Sequence, residues 1–127
     1  FMSVLDIKEI RNKYFALLDG SFHNVGEICG LKKVPMRITT SKNSTSYNNV
    51  DFVGYTCLEQ DVIYSGYNGK LAIGDTVEIC NVGGYSIVDK PPFIHPDIPI
   101  YMIKNNEITC IKKEQTLNDI FAPYVFE

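Results

Sequence analysis

Four side chains stand where the backbone turns and where chemistry is possible: the thiol of Cys57, the carboxylates of Glu59 and Asp61, and the phenol of Tyr85. An apolar run, Val50-Asp51-Phe52-Val53-Gly54-Tyr55-Thr56, leads into Cys57, so a strand delivers the thiol into a turn. Two acids close behind a thiol oppose the thiolate charge. No histidine lies near it in sequence to activate a nucleophile. Such a cysteine suits a proton donor better than an attacking group; the plainer alternative is a small buried apolar residue. Tyr85 closes Gly83-Gly84-Tyr85, where two glycines permit close backbone approach and unusual φ values. One reading is a bulged strand end with the tyrosine packed over it. The other is a phenol aimed at an anion, its hydroxyl donating. A hydrogen bond to a charged phosphate contributes about 1.5–3 kcal/mol. His23, in Phe22-His23-Asn24, reads as a hydrogen-bonded loop or core histidine unless its position makes it a proton carrier.

The elements that must position these groups are mostly strands. Val4 to Arg11 is read as a strand, turning at Arg11-Asn12-Lys13 into a continuous apolar run, Tyr14 to Leu18, expected to be buried on both faces. Phe22 to Lys33 is less regular. Val34 to Thr39 is a strand whose early Pro35 implies an edge or a strand start. Ser41 to Asn49, polar except for Tyr47, reads as a surface loop. Asn68-Gly69 and Gly74-Asp75 signal turns, the second opening a strand from Thr76 to Val82. In that strand Val77 and Ile79 point one way, and Thr76, Glu78 and Cys80 the other. Four prolines between Ser86 and Pro99 make a stiff crossover loop, including Pro91 and Pro92 and presenting Phe93. Ile100–Ile103 and Ile108–Ile111 form a last hairpin. Thr116 caps a helix to Phe121, with Asp119 completing an approximate capping box. The sum is an all-β domain, a small β-barrel or sandwich with one short C-terminal helix.

Bulk properties narrow the function classes. The chain has 127 residues, enough for one domain with a real core, and 45% apolar content, which excludes a disordered chain. A net charge of −3 with mixed signs argues against non-specific nucleic-acid binding. Cys29, Cys57, Cys80 and Cys110 form no Cys-x-x-Cys and no zinc-type spacing, and three of them read as small buried apolar residues. The charged residues Asp6, Lys8 and Glu9 stand where a signal peptide needs an apolar run, and no run reaches membrane-spanning length. A reducing, cytoplasmic setting is expected, in which the glycosylation pattern Asn43-Ser44-Thr45 carries no meaning. Phe1 precedes Met2, either as a tag remnant or because the sequence was cut from a longer protein.

Five segments together resemble the C-terminal β-domain of pyridoxal-phosphate-dependent amino-acid decarboxylases, the diaminopimelate and ornithine decarboxylases in particular. Tyr14 to Ser21 is similar to the family's Val-Asp-Gly strand after its barrel. Gly54 to Asp61 resembles its Gly-Pro-x-Cys-[Asp/Glu]-x-x-Asp motif. Leu71 to Asp75 matches Leu-x-x-Gly-Asp, Val82 to Tyr85 resembles the Gly-Ala-Tyr corner, and Lys112 to Thr116 with its short helix resembles the closing segment.

The resemblance implies that residues 1–127 are one β-domain of a larger homodimeric enzyme. An N-terminal (β/α)8 barrel, absent from this sequence, would hold pyridoxal phosphate on a Schiff-base lysine. It implies that Tyr85, with Gly84 beside it, reaches the cofactor phosphate. It implies that Cys57 crosses the dimer interface as the catalytic proton donor to the α-carbon after CO2 leaves. Asp61 would shape that loop or hold substrate, Glu59 would bind substrate, and Phe93 would lie near the interface. Two residues depart from the pattern: Tyr55 replaces the proline, and Leu58 replaces the acid that meets the substrate's distal amine. Either Glu59 takes over that role or the substrate's far end is not cationic there. The same departures motivate an alternative, a non-catalytic regulatory or binding module of this fold. The isolated domain is expected to be inactive.

Overall fold

Tight left-handed turns and repaired bulges shape the sheet of this protein. A computed structural model describes residues 1–26, 33–41, 43–88 and 93–125. Cys29, Pro91 and Pro92 lie outside the described residues. The chain forms two units, Phe1–Lys90 and Pro91–Glu127.

In the first unit, β1 (Met2–Ile10) turns at Arg11 and Asn12 into β2 (Lys13–Leu18). Both turn residues have positive φ, 51° and 63°, the backbone that suits a two-residue hairpin to the twist of its strands. After β2 come a one-turn helix α1 (Phe22–Val25), β3 (Met36–Thr39), β4 (Thr45–Val53), β5 (Val62–Leu71) and β6 (Thr76–Ile79). The sheet order is β3-β6-β1-β2-β4-β5. Among the described residues only β2 and β4 pair in parallel, so the chain between them must cross over, and that crossover carries α1 and β3. Pro35 precedes β3, which lies at the sheet edge as expected. The core is Met2, Val4, Ala16, Leu18, Val34, Val50, Phe52, Ile63, Leu71, Val77 and Ile79. This is the all-β, barrel-like architecture read from the sequence, with α1 as an unexpected addition.

Four expectations are corrected. Thr45 to Asn49 is strand, because it pairs with β5 through Thr45↔Leu71 and Tyr47↔Gly69 while Tyr47 packs edge-on against Tyr14 at 5.1 Å. Asn68-Gly69 makes no turn. Gly69 stays extended within β5, and a side chain there would collide with the Tyr67 ring, whose hydroxyl donates to the Lys70 carbonyl at 2.9 Å. The run Tyr14 to Leu18 is buried on one face only, at Ala16 and Leu18. Finally, Cys57 and Cys110 are exposed and Cys80 is half-buried, so none of the described cysteines belongs to the core.

The β4–β5 ladder slips three times, and a side chain repairs each of the first two slips. Between Tyr47↔Gly69 and Val50↔Tyr67 the extra residue is on β4, where Asn49 adopts φ +56° and its N–H donates to Asn68 Oδ1 at 2.9 Å. Between Val50↔Tyr67 and Phe52↔Tyr64 the extra residue is on β5. There Gly66 takes φ +73° and its N–H donates to Asp51 Oδ1 at 3.0 Å. An N–H lost from a ladder needs such a partner. The Leu-x-x-Gly-Asp turn follows the same logic. Gly74 takes φ +88°, and the buried Asp75 carboxylate accepts the N–H groups of Ala72 and Ser41, both at 2.8 Å.

In the second unit, β7 (Ile100–Lys104) and β8 (Glu107–Lys112) form the expected hairpin, turning at Asn105 and Asn106 with φ 51° and 63°. Lys112 Nζ pairs with Asp97 Oδ2 at 2.8 Å and donates to the Ile98 carbonyl at 3.0 Å, pinning the proline-rich segment to β8. Helix α2 (Leu117–Phe121) begins at Thr116, whose Oγ1 accepts the Asp119 N–H while Asp119 accepts the Thr116 N–H.

Two outcomes are expected. Replacing Asp75 with Ala strands two backbone donors and should lower the unfolding free energy by about 3 kcal/mol, read from the urea midpoint. Hydrogen bonds from the Thr116 hydroxyl, and then from its backbone N–H, hold the Asp119 carboxyl below its ordinary value of 3.8. A depressed carboxylate contributes stability above the unfolded value, and this is lost as pH falls through the folded value. The Asp119 carboxyl resonance should therefore titrate below 3.8, moving back toward 3.8 in Thr116→Ala.

Candidate functional site

Two exposed corners of the first unit carry the candidate groups. The first is the loop from Gly54 to Asp61 between β4 and β5. Asp61 is 2% exposed, a burial that a carboxylate tolerates only with donors around it. It has three: Thr56 Oγ1 at 2.6 Å and Thr56 N at 3.1 Å on one oxygen, and Phe22 N at 2.9 Å on the other. The backbone closes the same loop, with the Gly54 N–H on the Asp61 carbonyl at 2.9 Å and the Asp61 N–H on the Leu58 carbonyl at 3.0 Å. Gly54 must be glycine, because a Cβ would run into the Asp61 carboxylate. The inward turn of Asp61 pushes the tip outward. Cys57, Glu59 and Gln60 are exposed, and Leu58 is half-buried between them.

The second corner follows β6. Asn81, two residues beyond the end of β6, takes φ +60°. Gly83 and Gly84 have nothing within 4 Å of where a Cβ would lie, so the backbone here is open to an approaching group. Tyr85 follows with φ +62° and is 79% exposed. A tyrosine in the left-handed region costs about 1 kcal/mol or more and persists only where its neighbours hold it. Val88 N donates to the Tyr85 carbonyl at 3.0 Å, and Ser86 Oγ donates to the Val25 carbonyl at 2.9 Å.

Both corners are therefore tied to α1. Its first N–H, on Phe22, is held by Asp61, and its last carbonyl, on Val25, is held by Ser86. Ser21 caps the turn: its Oγ accepts the His23 N–H at 3.2 Å, and its own N–H donates to Asn24 Oδ1 at 2.9 Å. The Asn24 side chain also hydrogen-bonds the Tyr55 hydroxyl. Burial raises the Tyr55 pKa, Asn24 opposes this, and the charge of Asp61 adds to it, so the phenol stays protonated. His23 packs its ring on Phe22 at 4.0 Å, as a structural histidine would.

Of the residues singled out from sequence, Cys57 and Glu59 share the exposed loop tip. Tyr85 and Gly84 share the other corner, and Asp61 lies beneath the first. Phe93 belongs to the second unit, where its carbonyl accepts the His95 N–H at 2.8 Å. Sequence reasoning missed α1, Asn24 and Ser86. The signal was present for α1: Ser21 stands three residues before Asn24, the spacing of a reciprocal cap. Ser86 gave none, because its partner Val25 is 61 residues away and contributes a backbone carbonyl.

Residues 1–83 match the family described as "Pyridoxal-dependent decarboxylase, C-terminal sheet domain". Among solved structures, diaminopimelate decarboxylase from Helicobacter pylori complexed with L-lysine is 23% identical with a TM-score of 0.80, over 96% of this chain and 30% of that one. Diaminopimelate decarboxylase from M. jannaschii in complex with L-lysine is 17% identical with a TM-score of 0.79, over 99% of this chain and 29% of that one. Lysine decarboxylase from Selenomonas ruminantium is 24% identical with a TM-score of 0.55, over 71% of this chain and 24% of that one. No curated protein matches the sequence. The chain thus spans about 30% of the diaminopimelate decarboxylase chains, which are correspondingly larger.

Asp61→Ala should cost about 3 kcal/mol in unfolding free energy, since it strands donors from both the loop and α1. Gly54→Ala should act in the same sense by displacing the carboxylate. In both variants hydrogen exchange should accelerate at the Thr56 and Phe22 amides. Wild-type protection at Phe22 in Asp61→Ala would contradict the clamp.

Proposed function

The chain belongs to the family of C-terminal sheet domains of pyridoxal-dependent decarboxylases, and we propose that it supplies one wall of a decarboxylase active site. In this reading an N-terminal barrel domain, outside the sequence described here, holds the cofactor. A second subunit then brings the two halves of each site together in a homodimer. The observation that carries the reading is the placement of an exposed thiol and an exposed phenol on two corners braced by one turn, α1.

The residues present fit part of a phosphate site. Among the described residues, the corner from Gly83 to Val88 contains no acid, its glycine backbone is unobstructed, and its phenol carries an O–H donor. When bound, pyridoxal phosphate supplies the electron sink for decarboxylation. Tyr85 would hold the phosphate through its hydroxyl, with Gly84 allowing close approach. Cys57 delivers its S–H proton to the substrate α-carbon once CO2 has left, and a thiolate remains to be reprotonated from solvent. Asp61, buried and engaged with its own chain, shapes the loop that aims this thiol. Glu59 at the tip is the acid available to a cationic substrate end. Leu58 beside Cys57 offers only apolar surface there. The substrate class is an amino acid. The free thiols of Cys57, Cys80 and Cys110 fit a reducing, cytoplasmic setting. No helix among the described residues is long and apolar enough to cross a membrane.

Cys57→Ala in the full-length protein should lower kcat by about 10²-fold or more, the usual worth of a positioned proton donor. It should also relax the stereochemistry of α-carbon protonation, read by NMR of product formed in D2O. Turnover within twofold of wild type with unchanged stereochemistry would remove Cys57 from the mechanism.

A further inference from the structure

Tyr85 is a large side chain in a left-handed backbone state, on a corner with open space around it. Locally its backbone is held through its carbonyl, which accepts the Val88 N–H at 3.0 Å. A further constraint comes from the next residue. Ser86 is half-buried, and its hydroxyl donates to the Val25 carbonyl at 2.9 Å, so it is committed to α1 and not available to a ligand. Gly26, the residue after α1, takes φ +86°, and its N–H donates to the Phe22 carbonyl at 2.8 Å. A Cβ on Gly26 would lie 3.3 Å from Ser86 Oγ and 3.4 Å from Ser86 Cα. Ser86 is therefore seated against bare backbone at one point and hydrogen-bonded at the next. Because Ser86 is the residue bonded directly to Tyr85, its seat on α1 constrains the direction of the phenol.

We propose that Ser86 and Gly26 are positioning residues for Tyr85, through which α1 sets the phenol for its anionic ligand and so tunes the affinity of the complete enzyme for pyridoxal phosphate. The proposal rests on the reading of Tyr85 as a phosphate ligand and adds two residues that touch neither cofactor nor substrate. The cysteine loop is anchored at the other end of α1, through Phe22 and Asp61, so the reactivity of Cys57 reports separately on that corner.

The test uses the full-length enzyme carrying this domain, stripped of cofactor and titrated with pyridoxal 5′-phosphate by absorbance. Ser86→Ala should weaken cofactor affinity about fivefold to tenfold, the worth of one lost hydrogen bond. Ser86→Thr, which keeps the hydroxyl, should restore it to within about twofold on the same scale. Gly26→Ala should weaken it in the same sense as Ser86→Ala. At saturating cofactor kcat should stay near wild type, as should the alkylation rate of Cys57, which a general loosening of the fold would change. Wild-type affinity in both Ser86→Ala and Gly26→Ala, alongside a weakened Tyr85→Phe, would overturn the positioning role and leave the phosphate reading standing. Threonine as weak as alanine would also overturn it. Unchanged affinity in Tyr85→Phe would remove the phosphate reading, and this proposal with it.

Discussion

Burial of the Asp61 carboxylate is the constraint from which the candidate site follows. A charge taken out of water must be met by donors. Those that meet it are the Thr56 hydroxyl, the Thr56 N–H and the Phe22 N–H. Satisfying them bends the chain after β4 into one closed loop and forces its next residues outward, Cys57 among them. The same carboxylate holds the leading end of α1. Asp61 is thus two side chains in one: a clamp on a loop, and an anchor for the turn that braces the opposite corner.

The rest of the sheet uses the same device. Asp51 receives the Gly66 N–H at one bulge, and Asp75 receives Ala72 and Ser41 at the tight turn. Each sits where the ladder loses a donor, and each is almost fully buried. Asp51 also pairs with Lys13 on β2, so the repair is itself partly neutralised. Irregular backbone at these places costs stability, but it is what aims the neighbouring side chains. Acidic side chains that look like chemistry in a linear reading are here mostly structural acceptors. The groups left for chemistry are the exposed ones beside them.

In the proposed role, this arrangement supplies half of a site. The thiol of Cys57 and the phenol of Tyr85 stand exposed on its two corners. What the domain contributes is rigidity of placement. The corners spring from strand ends, and a four-residue helix joins them by hydrogen bonds that no solvent-exposed loop could hold by itself. A ligand entering from the larger part of such an enzyme would meet groups already oriented, which lowers the cost of ordering them on binding.

Much of this was written locally. Arg11-Asn12 and the Gly74-Asp75 turn were legible because single residues there choose the backbone. The Thr116–Asp119 cap was legible because its partners are three residues apart. The exposed cysteine motif and the Gly-Gly-Tyr corner were legible as patterns. Asn68-Gly69 misled, because a turn signal states only what a glycine permits; here the Tyr67 ring used the missing side chain instead. The polar stretch from Thr45 to Asn49 misled for a related reason: pairing to β5 supplies its hydrogen bonds, whatever its side chains prefer. Sequence alone determined most of the strands, the turns at Arg11-Asn12 and Gly74-Asp75, and the family, since these depend on neighbours along the chain. Only the tertiary structure decided that Asp61 faces inward and Cys57 outward, and that one turn ties both corners. Those outcomes hang on contacts 39 and 61 residues apart, and the free energy of burying a carboxylate exists only once both partners are in place.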